Sequence, residues 1–286
     1  MQSEAPGLPP SVYLSDTPFF AQDDSLCGPA VLAMLLGAAG RPVSVDTLMP
    51  QVYLPGRRGS LQAEMLAGAR RHGALAMTVP GGLAGAFTEL AAGHPVAALV
   101  NLSLPAWPRW HYLVLTGYDL PRGEVLVHSG LQRDARWTLT TLDNVWARSS
   151  HWGFVALAPG RLPATASEPE TLRALLALDR VAPTRDTAPG WSAAADRWPD
   201  NLTLAIGDAR AWQAAGDAPR ARQRLSQAAL RLDSAVAWNN LAQLRLQAGD
   251  RAGALKAARR AVARAEAAEQ RWLDTARRTL AEITPP

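Results

Sequence analysis

Residues 27–40 read CGPAVLAMLLGAAG, an apolar run with no polar stripe to face water, so it reads as a helix buried on all sides. Pro29 stands where the first turn of a helix tolerates a residue without an N–H, and Gly40 where a C-terminal cap belongs. Cys27, the one cysteine of the chain, therefore opens a helix. Unpaired backbone N–H groups and the positive end of the helix dipole favour a thiolate there. Outward from this helix the period keeps changing. Leu61–Arg71 and Leu83–Ala92 have helical spacing, whereas Pro95–Leu102, Tyr112–Tyr118, Glu124–His128, Arg136–Leu139 and Gly153–Ala158 read as strands. Helices followed by a mostly antiparallel sheet make an α+β domain rather than a doubly wound one.

At 286 residues the chain is near twice an ordinary domain length of ~150. Pro159–Pro169, PGRLPATASEP, turns to proline and small residues and marks a boundary. The expected division is an N-terminal extension at 1–11, an α+β domain at 12–160, a linker with one helix at 161–200 and an all-α domain at 201–286. In that last segment the text repeats. Ala215-Gly216-Asp217 returns 33 residues later as Ala248-Gly249-Asp250, with Ala221 matched by Ala254 and Ala228 by Ala261. Small residues at these spacings let paired helices approach closely around a Gly-Asp turn. The pattern, with Trp238, Leu241 and Ala242, resembles the tetratricopeptide repeat, a helix-pair unit of ~34 residues. That resemblance implies two repeats capped by a last helix at about Ala268–Glu282.

The net charge of +4 is unevenly placed: residues 1–160 hold 10 Arg against 11 acids, and residues 161–286 hold 18 Arg and one Lys against 14 acids. These arginines alternate with acids and few aromatics, which fits solvated helix faces rather than a nucleic-acid surface. A single cysteine excludes an internal disulfide and a cysteine-based zinc cluster. No run of 18 apolar residues occurs, so the chain as given carries no membrane span. All five histidines share the first half with Cys27. Nucleophile–base chemistry belongs there.

A thiolate nucleophile needs a base that later protonates the leaving group, and histidine titrates in the right range. His111 opens the strand HYLVLTGY, where its ring can project from the sheet end toward the cysteine helix. His72 and His94 suit a helix end and a turn, and His128 and His151 are alternative bases. Gln22, five residues before Cys27, can donate its amide beside the Cys27 N–H to a developing oxyanion. Gly28 allows close approach of a substrate backbone, and Trp110 is the tryptophan expected to touch substrate. Trp107, Trp137, Trp146 and Trp152 are expected in the core or lining a cleft. Asp23 and Asp24 are expected to solvate the loop before the cysteine.

Phe19-Phe20-Ala21-Gln22, Cys27-Gly28-Pro29-Ala30 and Trp110-His111-Tyr112-Leu113-Val114-Leu115-Thr116-Gly117-Tyr118-Asp119 together resemble the C39-type cysteine peptidases, which are papain-like. Joined to the repeats, they resemble exported bacterial C39-family peptidases. The resemblance maps Gln22 to the oxyanion glutamine, Cys27 to the nucleophile and His111 to the base. It also implies an acid, usually in an Asn-Asp-Pro-like setting, on the strand after the histidine. Here that strand ends Val127-His128-Ser129-Gly130. Ser129 can orient His111 through a hydrogen bond, but it cannot stabilise an imidazolium as a carboxylate does. Asp119 is better suited to capping its own turn.

The expectation is a cysteine peptidase without a cofactor, acting on a peptide or protein substrate, with a protein partner held by residues 201–286. An inactive peptidase-like adaptor, and an acyl or peptidyl transferase using the same thioester, are the alternatives. The start Met1-Gln2-Ser3-Glu4 and the resemblance suggest an exported, periplasmic or lipid-anchored cell-envelope protein, with a cytoplasmic one as the alternative.

Overall fold

The apolar run that begins at Cys27 forms α1 (Cys27–Ala38), buried continuously from Cys27 to Leu36. A computed structural model describes residues 7–21, 27–57, 59–104 and 106–284, and the chain divides into two units, Met1–Ala182 and Pro183–Pro286.

The first unit is built on a seven-stranded sheet of β1 (Ser11–Tyr13), β2 (Leu75–Thr78), β3 (Val96–Asn101), β4 (Trp110–Asp119), β5 (Glu124–Ser129), β6 (Gln132–Thr138) and β7 (Gly153–Leu157). The order is β2-β7-β3-β4-β5-β6, with β1 added to β4, and these pairings are antiparallel. Side chains alternate across a pleated strand, and here both sides are covered. Ala97, Tyr112, Val114, Phe154 and Ala156 pack with α1, α2 (Val45–Val52) and α3 (Gln62–Arg71). Ala98, Leu113, Leu115 and Val155 pack with α4 (Gly82–Ala91) and α5 (Leu139–Trp146). Central strands buried on both faces show continuous apolar text, which is why β3, β4 and β7 were legible. Gly117 admits β1, since a Cβ there would collide with the Val12 carbonyl oxygen.

Four elements of this unit escape a sequence reading. β1 and β2 are three and four residues long, too short to display a period. α2 carries an internal proline, Pro50. The expected strand at Arg136–Leu139 stops at Thr138, whose side chain accepts the Thr141 N–H at 3.1 Å and thereby starts α5 at Leu139.

The stretch at 161–200 holds two helices, α6 (Glu168–Asp179) and α7 (Thr184–Arg197), instead of a linker with one. Residues before α6 are bound into the first unit. Fully buried Glu89 accepts from the Ala164 N–H at 3.1 Å, the Thr165 N–H at 2.7 Å and the Thr165 hydroxyl at 2.6 Å. The prolines there misled because Pro169 sits in the first turn of α6, where it favours helix entry. α7 joins the second unit with α8 (Leu202–Ala214), α9 (Ala218–Leu232), α10 (Ala235–Gln247), α11 (Arg251–Ala268) and α12 (Leu273–Ile283).

The second unit is all-α, and its two Gly-Asp turns are alike. Gly216 and Gly249 take φ of +87° and +78°, a conformation that favours glycine. Asp217 and Asp250 then cap α9 and α11, accepting the Arg220 and Gly253 N–H at 3.0 and 2.9 Å. Alanines such as Ala221, Ala237, Ala254 and Ala258 form much of the core. The final helix begins at Leu273 rather than near Ala268, because α11 runs on to Ala268. Several arginines staple helices: Arg224 bonds Asp208 and Asp196, and Arg260 clasps Asp233 with bonds of 2.9 and 2.6 Å. Among the described residues, no helix is long and apolar enough to cross a membrane.

Candidate active site

Cys27 is 4% exposed at the first position of α1. It lines a cavity of about 580 Å³ together with Arg57, Ser60, Leu99, Trp110 and Tyr112. Four stretches thus converge: the start of α1, the loop between α2 and α3, the adjoining ends of β3 and β4, and the turn after α5 that carries Ser149. The Tyr112 hydroxyl donates to the Ser60 carbonyl oxygen at 3.2 Å, tying that loop to β4. Burial, aided by the negative charge of a Cys27 thiolate, pushes the Tyr112 phenol above its ordinary pKa. Gly28, expected to let a substrate backbone approach, stands against Ser60. A Cβ there would collide with Ser60 Oγ, so the missing side chain makes room for Ser60.

His111 is buried as the second residue of β4, and its Nε2 lies 3.0 Å from Ser129 Oγ. His128 pairs with Val114, which packs on the α1 side, so alternation gives Ser129 and His111 the opposite parity. His111 thus sits at the sheet end, as expected, on the strand face opposite the one that packs against α1. Its chain neighbours Trp110 and Tyr112 both line the Cys27 cavity. With Nε2–H given to Ser129, Nδ1 is the nitrogen that would serve as base; which tautomer is present follows from this assignment.

The other histidines have structural partners. His128 Nε2 lies 3.3 Å from the Thr17 carbonyl oxygen and its Nδ1 accepts the Asp134 N–H at 3.2 Å. Burial lowers its pKa, against the pull of the Thr17 carbonyl and the Asp134 carboxylate. His94 Nδ1 is 2.7 Å from Glu89. Burial raises the Glu89 pKa, but bonds from His94, Thr165 and Ala164 outweigh it and leave the carboxyl below its usual range. His72 ends α3 beside Gln51, and His151 Nε2 lies 2.8 Å from Asp143. Asp119 accepts the Arg122 N–H at 3.1 Å and its guanidinium at 2.7 Å, so it caps its turn.

Gln22, Asp23 and Asp24 lie outside the described residues. Trp110 lines the cavity, Trp146 is fully buried, and Trp107 is 77% exposed rather than in a core or cleft. Sequence reasoning passed over Ser60 and Arg57. The only signal was the turn-forming Pro-Gly-Arg and Gly-Ser text before the helix at Leu61, which reads equally as an ordinary loop. Among the described residues no cluster of three or more His, Cys, Asp or Glu side chains is placed to hold a metal ion.

No curated protein matches the chain. Among solved structures, a Bacillus anthracis protein described as a candidate C39-like peptidase matches at 18% identity and a TM-score of 0.45, over 51% of this chain and 97% of its own. Residues 14–153, the stretch that holds Gln22, Cys27, Ser60, His111 and Ser129, match the model of the Peptidase_C39 like family.

Proposed function

We propose that this domain is a cysteine peptidase with Cys27 as nucleophile and His111 as base. The carrying observation is a cysteine at a helix start that lines a 580 Å³ cavity walled by Trp110 and Tyr112, with His111 next to both in the chain, at the strand end and 3.0 Å from Ser129. His111 Nδ1 takes the Cys27 proton, and the thiolate forms a bond to a peptide carbonyl carbon while the C=O pair moves to oxygen. The C–N bond then breaks and the amine leaves with the proton held by His111. Water attacks the thioester, giving a proton to His111, and releases the acid and the Cys27 thiol. Gln22 and the Cys27 N–H are the proposed oxyanion donors. Delivery of the acyl group to an amine instead of water would make the same site a transferase.

The test is alkylation of Cys27 from pH 4 to 9 in the wild type and in His111→Ala. A Cys–His pair keeps alkylation fast well below ~8.5, where a free thiol ionises, and His111→Ala moves the inflection up toward that value. An inflection at the free-thiol value in both proteins would favour the adaptor reading, whose support is Ser129 in place of a carboxylate.

The helical unit is proposed to be a pair of tetratricopeptide repeats that recruits a peptide segment. Its support is a cavity of about 310 Å³ lined by Asn239, Asn240, Gln243 and Trp272. Among the described residues Asn239 Oδ1 and Trp272 Nε1 are buried there without partners, and an acceptor with a donor complements one peptide amide. Titration with an extended neutral peptide library should show saturable binding that Asn239→Leu weakens and that salt hardly changes.

A further inference from the structure

We infer that the Ser60 hydroxyl donates a hydrogen bond to the carbonyl oxygen that Cys27 attacks, an assignment that rests on the peptidase reading above. Ser60 lines the same cavity as Cys27. Its Oγ is buried and, among the described residues, has no hydrogen-bond partner. Native proteins seldom leave a buried hydroxyl unpaired, because it has given up water and gained nothing. Such a group is retained where it serves something absent from the ligand-free protein.

Two features fix where the hydroxyl sits and how it is turned. The Tyr112 bond to the Ser60 carbonyl oxygen anchors the residue from one side. On the other side Ser60 Oγ abuts Gly28, and the space it fills exists only because residue 28 has no side chain. This is the positive end of α1, where backbone N–H groups point outward. That field favours the hydroxyl oxygen toward the helix and its hydrogen turned away from it, the orientation this assignment requires. A donor held in this way costs no reorganisation when negative charge develops in front of it. As the Cys27 sulfur bonds to the carbonyl carbon, the C=O pair passes to oxygen and Ser60 donates to that oxygen without losing its proton. When the C=O bond re-forms, the bond to the leaving group breaks and the leaving group departs with the proton held by His111.

The alternative role, solvating the Cys27 thiolate itself, predicts a different pattern, and two probes on the full chain separate them. An N-acyl amino acid p-nitrophenyl ester reacts through an oxyanion, whereas iodoacetamide alkylates the thiolate without one. Ser60→Ala should slow single-turnover acylation on the order of a hundredfold and leave the alkylation rate and its pH profile within about twofold. Ser60→Thr, which keeps the hydroxyl, should recover part of the acylation rate, and near-ultraviolet circular dichroism confirms that each variant is folded. Unchanged acylation in Ser60→Ala overturns the assignment, as does an equal fall in acylation and alkylation. Failure of the underlying reading looks different: Cys27→Ala would then be acylated as fast as the wild type.

Discussion

Ser129 stands where the resemblance calls for a carboxylate, and its hydroxyl is within bonding distance of the His111 ring. A neutral bond of this kind contributes ~1 kcal/mol, so Ser129→Ala should slow single-turnover acylation about fivefold. Ser129→Asp should favour the imidazolium and raise the rate if the new carboxylate keeps the bond, since a buried carboxylate without a partner destabilises the fold. Equal rates for wild type and Ser129→Ala would remove Ser129 as the orienting group. His128 gives a separate pH signature. Burial holds its folded pKa below the ordinary ~6.5, so between those two values the unfolded chain binds more protons. Stability should therefore be intact above ~6.5 and fall as the pH drops toward the lowered folded value. His72, lowered by burial and by Arg71, acts in the same direction. Melting temperatures from pH 8 to 5 should decline, and His128→Asn should flatten part of that decline.

Among the elements, α7 decides how the second unit is bounded. Trp191 is 1% exposed, and Gly207 of α8 lies against its ring so closely that a Cβ would collide with it. Ser192 of α7 donates to Asp208 at 2.6 Å and accepts from Trp212 at 2.7 Å, and Asp208 also bonds Arg224 of α9. A fragment starting at residue 201 loses the Trp191 packing, which at the rate for large core aromatics is about 3–5 kcal/mol. Residues 183–286 alone should be helical and melt well above residues 201–286, as read by circular dichroism. Equal melting would mean that α7 contributes nothing to this unit. Asp208 is 1% exposed, and Asp208→Asn should destabilise the unit by ~2 kcal/mol, because Arg224 loses its buried charged partner and keeps only the exposed Asp196. Urea unfolding of the full chain measures it.

At the scale of the whole molecule, the contacts of Glu89 place the end of the first unit beyond residue 160. A chain cut at 160 loses Ala164 and Thr165 and leaves a buried carboxylate with His94. Met1–Ala182 should therefore fold and keep the Cys27 alkylation profile of the full chain, while residues 1–160 should be unstable; thermal melts and iodoacetamide kinetics on both fragments decide this. The sequence by itself determined what rests on short-range chemistry. Apolar text set α1 and the doubly buried strands, Gly216-Asp217 and Gly249-Asp250 set the repeated turns, and the family resemblance singled out Cys27, His111 and Ser129 as candidates, of which His111 and Ser129 lie 3.0 Å apart. Three- and four-residue strands at β1 and β2 have no period to read, because their stability comes from β4 and β7 alongside them. Prolines at 159–169 signalled a boundary in composition, yet the side of that boundary to which each helix belongs depends on Glu89 and Asp208, residues far away in the chain. Only the tertiary structure decided that Ser60 fills the gap beside Gly28 and faces the Cys27 cavity, because a loop has no periodicity and its neighbours are set by how distant elements pack.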